Sequence, residues 1–166
     1  MRFRQVGKSM GVGLFLLFLI GCESIDCTLN NVVTCNYAFY SADGQQVKVL
    51  DTLTVTTDGS DSILYNRGTN VATLSMPMSY WQEADTLNFS FYNAEAQATQ
   101  NVVIRVKKSN TPHFESPDCP TTMFHELLSI DFDSPTQCVD SVVISNAAVN
   151  YESQENIKIY LHTATE

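Results

Sequence analysis

The chain has 166 residues and a formal net charge of -9 at pH 7. Residues 1–21 carry three of the nine basic residues and none of the eighteen acidic ones, so the rest of the chain has a charge of 6 minus 18, or -12. A surface of that sign repels phosphate backbones and argues against nucleic-acid binding. The 145 residues that follow residue 21 suffice for one domain with a core, and we predict a single domain over 31–166.

The first residues divide into the regions of an export signal. Arg2, Arg4 and Lys8 form a positively charged head. The apolar run 10–20 has the length of a signal-peptide core and is too short to span a bilayer comfortably. We therefore predict that residues 1–21 are a signal peptide and do not belong to the fold.

The signal ends in Leu19-Ile20-Gly21-Cys22, which resembles the lipobox of bacterial lipoproteins. That resemblance implies transfer of a diacylglycerol to the sulfur of Cys22, cleavage before this residue, and acylation of the new amino terminus by a chain such as palmitate. Two or three acyl chains anchor a protein firmly where one does not. We expect residues 22–30 to be the lipidated N-terminus and tether. The alternatives are an ordinary secretory signal with a chance cysteine, or a single-pass membrane anchor.

Short strands separated by polar turns fill most of the remaining chain. In the first of them Val33, Cys35, Tyr37 and Phe39 alternate with smaller or polar residues, the period of a strand with one buried face. Similar patterns predict strands over 32–40, 47–57, 62–65, 71–78, 86–92, 101–107, 138–145 and 156–162. Eight such strands without sustained helical periodicity predict an all-β antiparallel β-sandwich of immunoglobulin-like or transthyretin-like topology.

One segment departs from the strand pattern. Met123, Phe124, Leu127 and Leu128 fall at helical spacing, which predicts a short helical insertion over 121–128. His125-Glu126 begins a zinc-protease motif, but Ser129 stands where the second histidine is required. We expect the separated histidines to be surface residues or local hydrogen-bond partners and not metal ligands.

Four cysteines remain once Cys22 is assigned to lipid: Cys27, Cys35, Cys119 and Cys138. An even number in a chain bound for an oxidising compartment predicts disulfides, and three pairings are possible. We expect Cys119 to pair with Cys138, which would close the helical insertion, and Cys27 to pair with Cys35.

A short phrase recurs in which an aspartate and a hydroxyl residue precede an apolar strand position: Asp51-Thr52, Asp61-Ser62, Asp85-Thr86 and Asp140-Ser141. We interpret these aspartates as structural groups that accept backbone N–H bonds at strand starts. The acidic segments 58–61 and 131–134 lack the ligand set of an EF-hand, and calcium binding stays open there only as a weak alternative. No nucleophile elbow or phosphate-binding glycine loop is present, so we predict no enzyme, no cofactor and no metal site.

A loop over 110–128 is the predicted recognition element. It contains three prolines and carries His113, Phe114, Glu115, Asp118 and His125. Long structured loops on a rigid sandwich concentrate binding residues, and proline limits the entropy that is lost on docking. The alternative is a crossover that caps the core, with Phe114 and Phe124 pointing inward.

Tyr80-Trp81 offers a second place for recognition. We expect Trp81 to fold back over one end of the sandwich, because tryptophan is highly buried on average. The alternative is an exposed pair that stacks on a sugar or anchors a protein partner.

Several phrases of the sequence resemble a family of small envelope lipoproteins of unknown function from anaerobic Gram-negative gut bacteria. They include 25–27 with 36–37, 51–53, 74–77, 113–119, 140–144 and 149–160, and so cover nearly the whole mature chain. The resemblance implies an envelope location and this fold, but no substrate and no catalytic residue.

The function we predict is a non-catalytic, membrane-anchored envelope lipoprotein that docks onto another envelope component, with an envelope protein as the expected partner. We place it at the outer membrane, on the periplasmic face in preference to the cell surface. The alternative is a carbohydrate-binding or sugar-processing surface module.

Overall fold

The computed structural model describes residues 33–58, 62–117 and 119–162. The predicted signal peptide 1–21, Cys22, the tether 22–30 and Cys27 lie outside the described residues. The described part of the chain contains ten β-strands and no helix. They are β1 (Cys35–Tyr40), β2 (Thr52–Thr57), β3 (Ile63–Gly68), β4 (Thr73–Met76), β5 (Ala84–Asn93), β6 (Ala98–His113), β7 (Thr122–Asp133), β8 (Val139–Ile144), β9 (Ala148–Val149) and β10 (Ile157–Leu161).

These strands form two sheets, which confirms the predicted all-β sandwich. One sheet has the order β4-β1-β10-β8 and the other β3-β2-β5-β6-β7-β9. Neighbouring strands are antiparallel, except that β1 and β10 run parallel. All eight predicted strands overlap an observed one, whereas β7 and β9 were not predicted.

The helix predicted over 121–128 is wrong, because these residues belong to the end of the β6–β7 connection and to β7. A β-bulge opposite Lys107 and Lys108 leaves Leu128 unpaired. The bulge shifts the inward face of β7, so that Met123 and Leu127 are buried before it and Ile130 packs on the core after it. The apparent helical spacing comes from both faces of one strand, since Phe124 alternates with the buried Met123 and Leu128 is 62% exposed.

The core lies between the two sheets, and aromatic rings of one sheet contact those of the other across it. Tyr37 of β1 meets Phe89 of β5 at a ring-centroid distance of 6.0 Å, and Phe39 meets Phe91 at 6.3 Å. These pairs show that β1 and β5 run in the same direction on opposite faces of the core. The same ends of the two sheets therefore lie side by side, and the sandwich as a whole has two ends.

We name the two ends of the sandwich the N-terminal end and the opposite end. At the N-terminal end the chain enters β1, Cys35 pairs with Met76 at the close of β4, and Ala84 pairs with Lys107. At the opposite end β1 finishes at Tyr40, next to Tyr160 of β10. No helix in the described residues has the length and hydropathy required to cross a bilayer.

The predicted disulfide pairs are both wrong, because Cys35 and Cys138 are free thiols. Cys35 lies in the core at the start of β1, and Cys138 precedes β8 at the opposite end of the molecule. The β6–β7 hairpin carries Cys119 away from Cys138. The predicted pairing of these two cysteines assumed a compact helical insertion between them. Cys119 is not a free thiol.

Candidate docking surface at the N-terminal end

The predicted recognition loop is mostly a β-hairpin. Beyond the pair Ala84–Lys107, β6 continues through His113 and pairs there with residues 122–127 of β7. Six residues at about 3.4 Å each carry this hairpin about 20 Å past the start of β5. Only residues 114–121 form the connection at its tip.

A buried lysine joins the hairpin to the loop between β4 and β5. The Lys108 ammonium donates to the carbonyl oxygens of Ser79 at 2.7 Å and Gln82 at 2.6 Å. It also donates to Ser79 Oγ and Asn110 Oδ1, both at 3.1 Å, and lies 3.6 Å from Asp85 Oδ2. Burial lowers the pKa of Lys108, and the Asp85 carboxylate opposes that shift. One side chain thus fixes two backbone carbonyls of the loop 77–83.

The partners of Lys108 are themselves fixed. Asp85 accepts hydrogen bonds from the backbone N–H of Ser79, at 3.2 Å, and from the Ser79 hydroxyl. Asn110 Nδ2 donates to the carbonyl of Gln82 at 2.9 Å. Among the described residues no buried side-chain nitrogen or oxygen lacks a hydrogen-bond partner. A satisfied buried network of this kind holds a loop in one conformation.

His125, predicted as a recognition residue, belongs to this network and is only 4% exposed. Its Nδ1 lies 2.7 Å from Asn110 Oδ1, so the ring must donate from Nδ1 if that amide oxygen is to accept. Burial, with the nearby Lys108 charge as a second cause, lowers the pKa of His125 to about 4. The imidazole is therefore neutral at pH 7 and stabilises the fold, which excludes it from direct surface recognition.

Above this network the loop presents its aromatic residues to solvent. Trp81 is 88% exposed and Tyr80 is 50% exposed. The prediction that Trp81 folds back over the sandwich is wrong. Backbone carbonyls on either side of the pair are bonded to the buried Lys108, and they hold residues 80 and 81 outward.

The hairpin adds a second group of aromatic rings. His113 stacks on Phe124 at a centroid distance of 4.2 Å, and Tyr151 meets the edge of the stack at 4.9 Å from Phe124. Phe114, next to this stack, is 68% exposed, so it does not point inward as the alternative of a core cap required. Glu115 is also exposed, and Asp118 lies outside the described residues.

A pocket of about 380 Å³ opens beside the loop, between it and β2, β3 and β5. Its polar lining includes Asp58, Gln82 and Asp85, and its apolar lining includes Leu64 and Met78. Asp58 accepts a hydrogen bond from Asn88 Nδ2 at 2.6 Å. The pocket therefore combines hydrogen-bonding groups with an apolar floor.

The opposite end holds a different pocket, also of about 380 Å³, lined among others by Cys138, His162 and Asp51. His162 Nδ1 lies 2.7 Å from Asp140 Oδ1, and both side chains are nearly half exposed. Asp51 accepts from Asn93 Nδ2 at 2.9 Å. Of the four recurrent aspartates, Asp85 accepts a backbone N–H as predicted, Asp51 and Asp140 bond side chains, and Asp61 lies outside the described residues.

No group of three or more potential ligands that could hold a metal ion is found in the described ranges. In the acidic segments, Asp131 and Asp133 are exposed on β7, and residues 59–61 lie outside the description.

Sequence reasoning missed the network around Lys108, although a signal was present. Lys108 continues the inward alternation of Val102, Ile104 and Val106. A lysine at the next inward position of a buried strand predicts a buried charge, which requires a carboxylate and further acceptors.

The fold defines an all-β sandwich protein with a rigidly supported aromatic surface at one end. Residues 52–161 match the family of unknown function DUF6452, and the chain belongs to that family. No curated protein and no solved structure matches the chain.

Proposed function

We propose that this protein is a lipid-anchored, non-catalytic binding protein of the cell envelope that docks onto another envelope component through its N-terminal end. The observation that carries the proposal is the exposure of Trp81 on a loop held by a buried lysine. Rigid, exposed aromatic residues are the usual anchors of interfaces, because they bury a large area at a small cost in conformational entropy.

The anchor is supported by the sequence around Cys22. Intact-mass analysis of protein extracted from membranes should show the loss of residues 1–21 and a lipid increment on Cys22. The Cys22→Ser variant should be neither processed nor anchored. Normal anchoring of that variant would contradict the proposal. At the periplasmic face of the outer membrane, the protein resists protease in intact cells and is degraded after permeabilisation.

Docking is tested by a photocrosslinking amino acid placed at position 81 in living cells. The matched control places it at position 50, since Leu50 is 75% exposed at the opposite end. Docking through the N-terminal end predicts a reproducible adduct at 81 that is absent at 50. An absence of adducts at 81, or equal adducts at both positions, would refute it.

A carbohydrate-binding module is the second candidate, and the pocket beside the Trp81 loop favours it. An exposed aromatic ring next to hydrogen-bonding groups suits a sugar ring. This function predicts that Trp81→Ala and Asp58→Asn both weaken binding of soluble oligosaccharides, as measured by calorimetry. Docking alone predicts that only the first substitution affects partner binding.

A further inference from the structure

The N-terminal end is also where the rest of the chain joins the sandwich. Ten residues, 23–32, separate Cys22 from Val33. Fully extended, they span at most about 35 Å. Val33 leads into β1, whose Cys35 pairs with Met76, and the loop that carries Trp81 begins at Pro77. An anchor on Cys22 therefore attaches to the sandwich at this end, where the chain enters β1.

The side chains at this end suit the boundary between lipid and water. Trp81 has the greatest exposure of the large hydrophobic residues in the described ranges. Tyr80 lies beside it, and the hairpin carries Phe114 beyond the same end. Tryptophan and tyrosine are enriched at the headgroup level of membranes, where an apolar ring and a polar group are both satisfied.

The charges at this end limit the kind of lipid. Glu83, Glu115, Glu126 and Glu152 are exposed there, and Lys107 is an exposed cation near them. This excess of negative charge is repelled by anionic headgroups and leaves zwitterionic phospholipids as the compatible surface.

Resting on the lipid anchor of the proposed function, we infer that the component against which the N-terminal end docks is the headgroup region of the bilayer that carries the anchor. Tyr80 and Trp81 lie in that region. Lys108 holds the loop at Ser79 and Gln82, so the aromatic pair meets the membrane in a preformed arrangement. The sandwich then stands on the membrane, with its opposite end facing away.

The single tryptophan of the chain makes this contact measurable. The full lipidated protein is reconstituted into phosphatidylcholine vesicles, and Trp81 emission is compared with and without brominated phosphatidylcholine. We expect a shift of the emission to shorter wavelength and its loss with the brominated lipid. The matched control, W81F/L50W, moves the single tryptophan to the opposite end, and its emission should be unaffected by bromine.

The outcomes separate the inference from the anchor. Protein that floats with the vesicles while positions 81 and 50 are quenched equally, or not at all, keeps its anchor but overturns the bilayer contact. Protein that does not float refutes the anchor, and the inference falls with it. If Trp81 emission responds to soluble oligosaccharides or to a purified envelope protein and not to bromolipid, the surface belongs to that partner and the inference is wrong.

Discussion

Both ends of the sandwich place a histidine and an aspartate in polar contacts, but these contacts are buried at the N-terminal end and exposed at the opposite end. At the N-terminal end, Lys108, Asp85 and His125 are buried and bonded to one another or to shared partners. At the opposite end, His162 Nδ1 contacts Asp140 Oδ1 at 2.7 Å, but solvent reaches both side chains. Exposed ion pairs contribute little to stability, whereas removing one partner of a buried pair is costly. Burial, and not residue type, decides which polar groups hold this protein together.

The largest effect expected from this difference is at Lys108. Lys108→Met leaves the Asp85 carboxylate and the bonded carbonyls of Ser79 and Gln82 without their cation. We expect a loss of about 3 to 5 kcal/mol in the free energy of unfolding, measured by urea denaturation. Lys107→Met, one residue away and exposed, should change it by less than about 0.5 kcal/mol. Equal effects of the two substitutions would refute the structural role of the buried network.

A second effect concerns the disulfide chemistry of the N-terminal end. Cys119 is not a free thiol, whereas Cys35 and Cys138 are. If Cys22 carries the proposed lipid, elimination predicts Cys27 as the partner of Cys119. Non-reducing peptide mapping should recover the Cys27–Cys119 pair, and Cys119→Ser should cost about 2 to 4 kcal/mol. Recovery of Cys119 linked to Cys138 would contradict both the structure and this prediction.

His125 sets a third difference, in the response to pH. Its pKa is about 4 in the fold against about 6.5 for an ordinary histidine, so between those values the unfolded chain binds a proton that the native protein does not. The contribution of neutral His125 to the free energy of unfolding is fully present above about pH 6.5. It falls by up to about 3 kcal/mol as the pH drops toward 4.

His125→Gln removes this proton uptake. Urea unfolding at about pH 7 and about pH 4.5 should therefore show a smaller loss of stability for the variant than for the wild type. If His125→Gln and the wild type respond to pH alike, His125 is not held neutral by the fold.

The smallest effect concerns reactivity and not stability. Burial raises the pKa of the Cys35 thiol to about 12, whereas Cys138 is partly exposed beside a pocket. A chromogenic disulfide reagent should modify Cys138 in the native protein, and Cys35 only after unfolding. Cys138→Ser should abolish the native reaction, and Cys35→Ser should preserve it. Rapid native modification of Cys35 would show that the core opens at this end.

Much of the fold could be read from local patterns, because a strand with one buried face alternates every second residue. Leu87, Phe89 and Phe91 predicted β5 in this way, and Ile157, Ile159 and Leu161 predicted β10. Between β1 and β2 the chain turns at Asp43-Gly44, where Gly44 has a positive φ of 81°. β7 was missed because its bulge breaks the alternation. β9 was missed because two residues are too few to show a periodic pattern.

The candidate surface was only partly predictable. The segment 110–128 was recognised as unusual, and Tyr80-Trp81 was identified as a possible pair of contacts. Their structural roles were not predictable, because exposure depends on neighbours distant in the sequence. His125 is neutral and buried because Asn110 and Lys108 surround it, and Trp81 is exposed because Lys108 holds the loop beneath it.

The sequence by itself determined the all-β class of this protein, because alternating apolar residues give each strand one buried face. The anchored precursor indicated by the run that ends at Cys22 stays a prediction. Only the tertiary structure decided where the polar side chains lie, which cysteines are free and which aromatic residues face solvent. The physical reason is the separation along the chain of the residues that decide each property. Strand periodicity arises from the geometry of adjacent residues, whereas burial, hydrogen-bond partners and shifted pKa values arise from chain segments that meet only after folding.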